Sequence, residues 1–147
     1  MEIKKGFKVI NLERFETQEG HMIPIYKDWE SDLHGGHVPE MVYVTTLKPG
    51  TSKEIIYHKE RTSFLTCIQG KVSIELFSEN KVSKVFLNNS QGNNGKIIMI
   101  SPKIPFKINN EDENLGIVVN CPTHAWKPNS KEMIKFKDWE DFKKWEG

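Results

Sequence analysis

The chain has 147 residues, 37% of them hydrophobic and including 8 Phe, 4 Trp and 3 Tyr, which suits a single folded domain over residues 1–147 and excludes a disordered composition. Twenty-one Lys+Arg against 20 Asp+Glu leave a formal charge of +1, so the strong basic field of a nucleic-acid binder is missing. The N-terminus Met1-Glu2-Ile3-Lys4-Lys5-Gly6 is charged and mixed, and the aliphatic run from Ile97 to Ile100 is far short of the roughly 20 residues of a membrane helix, so neither a signal peptide nor a membrane span is expected.

From Met41 to Asn120 short apolar or alternating runs are punctuated by turn residues, the pattern of an antiparallel β-sandwich or barrel. Met41 to Leu47 is β-branched and aromatic, and Lys48-Pro49-Gly50 stops it. Ile55-Ile56-Tyr57-His58 follows as a second strand. Phe64 to Ile68 and Val72 to Leu76 read as a hairpin around Gln69-Gly70, the second strand alternating so that Ser73 and Glu75 take the face opposite Val72, Ile74 and Leu76. Lys81 to Leu87 is a further strand, and Asn88 to Gly95 reads as a polar, mobile surface loop. Lys96 to Ile100, Phe106 to Ile108 and Leu115 to Asn120 complete the strand set. At the C-terminus Asp138 is placed to cap a short helix carrying Trp139, Phe142 and Trp145 on one stripe, with Lys143 and Lys144 in its last turn. Cys67 and Cys121 lie in apolar runs, which suits buried free thiols in a reducing cytoplasm.

Two spacings carry the functional reading. Gly50-x5-Ile56-x-His58-x4-Ser63-x6-Gly70 is similar to the first cupin motif, in which glycine, two histidines, a glutamate and a closing glycine hold those places. Gly95-x5-Ser101-Pro102-Lys103-x2-Phe106-x3-Asn110 fits the register of the second. Within the cupins, Tyr43 to Gly50, Tyr57-His58-Lys59, Val118 to Pro122 and Trp126-Lys127-Pro128 resemble the dTDP-4-dehydrorhamnose 3,5-epimerase family, and Glu19-Gly20 with Tyr26 resembles its N-terminal strand pair. The resemblance covers roughly residues 16 to 134. It implies an all-β fold, a cupin jelly-roll barrel with a short C-terminal helix. It further implies no metal and no cofactor, a homodimer, and a nucleotide-diphospho sugar bound with its keto sugar in the barrel.

In that family a histidine removes protons beside a ketone and a tyrosine returns them on the opposite face. Here the resemblance places Ile56 at the histidine and, with Pro128 aligned, Asn120 at the tyrosine, and neither group exchanges a proton near neutral pH. Residues i and i+2 of a strand share a face, so His58 projects where Ile56 projects and is the candidate catalytic base. Tyr57 is expected on the other face. Lys53 stands where the family has an arginine on the sugar diphosphate, and Trp126 where it has an aromatic near the substrate; with Arg61 these are the candidate substrate-binding residues. Lys59 is a further cation beside His58.

The metal places of the cupin motifs hold Ile56, His58, Ser63 and Phe106, and one imidazole does not hold a catalytic metal. Asp32, His34 and His37 form a small cluster that reads as a solvated loop, and His21 and His124 as surface or turn residues. The expectation is a cytoplasmic nucleotide-sugar cupin of deoxy-sugar and surface-polysaccharide biosynthesis, epimerising or isomerising a 4-keto sugar, without nucleic-acid or membrane partners. The alternatives are a non-catalytic carbohydrate or nucleotide-sugar binding cupin and a dTDP-sugar 3,4-ketoisomerase, a class whose His-x-His pair is here reduced to its second member.

Overall fold

The computed structural model describes residues 6–27, 38–89 and 95–146. Among the described residues there are twelve strands: β1 (Phe7–Asn11), β2 (Phe15–Glu16), β3 (His21–Met22), β4 (Tyr43–Leu47), β5 (Thr51–Ser52), β6 (Ile55–His58), β7 (Ser63–Ser78), β8 (Lys81–Asn89), β9 (Lys96–Ile100), β10 (Phe106–Asn110), β11 (Gly116–Asn120) and β12 (Met133–Phe136). A helix over Trp139–Glu146 closes the chain. No helix among the described residues is long and apolar enough to cross a membrane.

All pairings are antiparallel. One large sheet runs β1–β9–β7–β11–β4, a second runs β8–β7–β10–β6–β12 with β5 beside β10, and β2 and β3 pair as a separate ribbon. The 16-residue strand β7 belongs to both large sheets. It is therefore not the hairpin expected at Gln69-Gly70 but one strand that turns a corner. At the corner Gly70 has φ +79, and the pairing with β11 skips Ile68, a bulge that steepens the bend. The Cys67 thiol donates to the Gln69 carbonyl at 3.1 Å there. The hairpin lies instead between β7 and β8, where Ser78 pairs with Lys81 and Glu79 and Asn80 have φ 53 and 61, the two left-handed residues of a type I′ turn.

Between the sheets the core comprises Leu47, Leu65, Cys67, Val72, Ile74, Leu76, Leu87, Ile98, Ile100, Phe106, Ile108 and Val118. Outside the first sheet Phe64, Ile97, Met99 and Val119 pack with Ile10, Leu12 and Cys121, and both cysteines are buried and free as expected. Outside the second, Ile55 and Phe136 are covered by Phe142 of the helix, whose ring meets Phe77 and Phe136 at 5.3 Å. Asp138 caps that helix, its Oδ1 accepting from Asp141 N at 2.8 Å.

The motif positions now have physical roles. Gly50, Gly70 and Gly95 all have positive φ, and Lys103, at the second motif's glycine, keeps φ 69. Asn110, at that motif's asparagine, donates to the carbonyls of Leu47 and Asn114 at 2.9 and 2.8 Å and ties two turns together.

Candidate functional site

Strand β6 divides its side chains as its parity requires. Ile55 and Tyr57 face the C-terminal helix, Tyr57 meeting Trp145 ring to ring at 5.1 Å. Ile56 and His58 face the barrel: Ile56 pairs with the core residue Phe106, whose ring lies 6.2 Å from that of His58. The backbone at His58 is fixed by its carbonyl accepting from Lys103 N at 2.7 Å.

The partner of His58 is Glu132, a residue that sequence reasoning missed. Strand β12 pairs with β6, Met133 opposite His58, and so delivers the preceding residue to the ring. Nδ1 of His58 lies 3.0 Å from both carboxylate oxygens of Glu132. Glu132 Oε1 also accepts from the backbone N–H of Arg61 at 2.9 Å. Burial pushes the imidazole below its ordinary pKa against the opposing pull of Glu132. Burial alone would raise the Glu132 carboxyl, but the hydrogen bonds from His58 and from Arg61 N–H hold it below the usual carboxylate value. The pair at neutral pH is thus a neutral imidazole beside a carboxylate: Nδ1–H donates to Glu132 and the Nε2 lone pair is left to act as a base.

Asn120, at the epimerase tyrosine's place, is 2% exposed. Its Oδ1 accepts from Phe64 N at 3.0 Å and its Nδ2 donates to the Tyr43 hydroxyl at 2.8 Å. Tyr43 pairs with Asn120 across β4 and β11 on the face that Val118 and Leu47 turn to the core. A phenol therefore stands one strand over from the place where the resemblance expected one.

Of the candidate binding residues, Arg61 and Trp126 come together and Lys53 does not join them. Arg61, 6% exposed, and Trp126, 62% exposed, line one cleft of about 110 Å³ with His124, Lys127 and Glu132, so the wall of the cleft is the carboxylate that holds His58. Lys53 is exposed between β5 and β6, its N–H bonded to the Ile108 carbonyl. His124, expected as a surface or turn residue, is one: it sits partly exposed in the bend after β11 and lines the cleft, with Nδ1 2.8 Å from the Thr123 hydroxyl. Its recruitment follows from the turn after β11, where Thr123 and Thr62 bond reciprocally. Asp32, His34 and His37 lie outside the described residues, as does the middle of the polar loop, residues 90–94. Among the described residues no three His, Cys, Asp or Glu gather as a metal site.

Comparison with curated protein sequences gives no significant match. Solved structures with similar folds include a dTDP sugar isomerase from Desulfovibrio desulfuricans G20 (TM-score 0.79, 14% identity, 95% of this chain and 91% of that one covered). QdtA, a sugar 3,4-ketoisomerase from Thermoanaerobacterium thermosaccharolyticum in complex with TDP, gives a TM-score of 0.73 at 16% identity over 97% and 98% of the two chains. The RmlC epimerase of Mycobacterium tuberculosis gives 0.73 at 14% identity over 91% and 73%. The all-β cupin architecture with its short C-terminal helix is thereby shown. A family model described as FdtA: WxcM-like, C-terminal matches residues 5–145, and the chain belongs to that family.

Proposed function

We propose that the protein isomerises or epimerises a 4-keto sugar carried on a nucleoside diphosphate, with His58 as the base. The observation that carries this reading is the buried His58–Glu132 pair, a neutral imidazole whose tautomer is set by a carboxylate 3.0 Å away. Such a group removes the acidic proton beside a ketone at neutral pH. Tyr43 supplies a phenol on the barrel face and is the group proposed to return protons on the opposite face where the reaction is epimerisation. Lys53, Trp126 and Arg61 are the proposed substrate contacts, an ammonium for phosphate, an indole for stacking and a guanidinium at the sugar. The TDP complex of the ketoisomerase with the same fold supports a thymidine nucleotide as the handle. The absence of an imidazole at Ile56 favours isomerisation by a single base over two-base epimerisation. No metal or cofactor enters this chemistry. We place the protein in the cytoplasm, as a homodimer, on a route from deoxy-sugars to surface polysaccharide.

The test is incubation with dTDP-4-keto-6-deoxyglucose in heavy water. Deuterium is expected to enter the carbon beside the ketone, and His58→Asn is expected to lower that rate at least about a hundredfold, within the range of general-base contributions. Bound substrate with no deuterium uptake by the wild-type protein sinks catalysis and leaves the second reading, a sugar-binding cupin, which the engagement of Asn120 in the Tyr43 and Phe64 hydrogen bonds favours.

A further inference from the structure

Two buried polar side-chain atoms among the described residues have no hydrogen-bond partner, Arg61 Nε and Ser63 Oγ. Buried donors are almost always paired, because an unpaired one forfeits its hydration for nothing, so two orphans in one short segment need an explanation. Only Thr62 separates them, and its backbone is pinned by Thr123 at 2.9 and 3.0 Å, so neither can easily relax to find a partner. Ser63, 1% exposed, pairs with the core residue Ile100 and so shares its inward face. The Arg61 guanidinium has no carboxylate partner among the described residues, although its own N–H touches Glu132 at 2.9 Å. Its charge reaches His58, where it opposes protonation of the ring. Base and orphans thus hang on the same six residues, His58 to Ser63, and on the same carboxylate.

Removing a proton beside a ketone needs a donor on the carbonyl oxygen as much as it needs a base, because the electron pair of the broken C–H bond ends on that oxygen. We infer that Arg61 Nε–H and Ser63 Oγ–H are that donor pair and hold the substrate's carbonyl oxygen while His58 takes the neighbouring proton. The inference rests on the reading of the site given above. In the step, the C–H bond breaks to His58 Nε2, a C=C bond forms, and the carbonyl π pair moves to oxygen, where the two donors stabilise the enolate. In the isomerisation the proton of the neighbouring hydroxyl passes to the enolate oxygen, the carbonyl forms at the carbon that lost its hydrogen, and the imidazolium gives its proton to the former carbonyl carbon, which regenerates the neutral ring. A donor pair fixed in a dry site before the reaction loses nothing to reorganisation, which is why it outperforms water.

The experiment combines deuterium exchange into dTDP-4-keto-6-deoxyglucose with calorimetric binding of TDP, which lacks the ketone. Arg61→Gln is expected to lower kcat for exchange about a hundredfold and Ser63→Ala about tenfold, while TDP affinity and KM stay within about threefold. Ser63→Ala deletes an unpartnered hydroxyl and is expected to keep or raise Tm, which separates a catalytic loss from a folding defect. Should Arg61→Gln fail to fold, Arg61→Lys with Ser63→Ala carries the measurement. Loss of TDP affinity with kcat intact overturns the inference and makes Arg61 a phosphate contact, and unchanged kcat in both variants overturns it outright. Absence of exchange in the wild-type protein is the separate failure of the underlying reading, and the inference falls with it.

Discussion

At the scale of the residue, His58 and Glu132 pull each other's protonation in opposite directions, and that sets how the protein responds to pH. The folded-state pKa of His58 lies below its ordinary value because burial disfavours the cation. Between the two values the unfolded chain binds the proton and the folded chain does not, so its contribution is complete above about pH 6.5 and is lost as pH falls from there toward the folded value. Glu132, whose folded pKa is also lowered, adds a second loss as pH falls below the ordinary carboxylate range. Glu132→Gln keeps an acceptor for Nδ1 but removes the charge that raises the imidazole. The acid limb of the kcat profile is therefore expected to move to lower pH and kcat to fall about tenfold or more, with KM nearly unchanged. A limb that stays in place or moves upward shows that Glu132 does not govern His58. His58 was legible in the sequence because strand parity alone turns it inward. Glu132 was not, because its link to His58 spans 74 residues and depends on β12 pairing with β6.

At the scale of the element, the turn chemistry explains both what was read and what was misread. Gln69-Gly70 between two apolar runs has the composition of a two-residue hairpin, and Glu79-Asn80 has no glycine, so propensity puts the reversal in the wrong place. What decides it is a close approach: a Cβ on Gly70 would lie 2.6 Å from the Leu115 carbonyl oxygen. Glycine there serves the corner of a continuous strand and the neighbouring backbone, not a loop. Strands β6 and β9 matched their expected spans because their apolar runs are bounded by turn residues on both sides. Strands β1 and β12 went unread because their pairing partners, β9 and β6, are far away in sequence. Gly70→Ala combines a φ of +79 with that clash, and is expected to cost about 2–4 kcal/mol. The urea midpoint of unfolding measures it; a loss below about half a kcal/mol shows that the corner relaxes freely.

At the scale of the whole molecule, the two sheets differ in how their outer faces are covered. The second is closed by the C-terminal helix, anchored by Phe142 and by Glu75, whose two oxygens accept from Trp139 Nε1 at 3.2 Å and Asn109 Nδ2 at 2.6 Å. The outer face of the first is covered around Phe64 and Met99, but Val42, Val44 and Ile68 stay 62, 59 and 41% exposed. Val44 lies on β4, which among the described residues pairs only with β11 and so leaves its other edge free beside an apolar face. Soluble chains rarely leave such a combination uncovered, since both the edge and the patch invite association. The homodimer proposed above would cover both at once if a second copy of the chain apposed the same face by two-fold symmetry. Sedimentation equilibrium is expected to return twice the mass of the chain, and Val44→Asp to return the single mass with an unchanged far-UV spectrum, because an exposed side chain leaves the core intact. A wild-type protein that sediments as one chain at tens of micromolar removes the dimer from the proposal, without touching the chemistry at His58, whose described partners all lie within one chain.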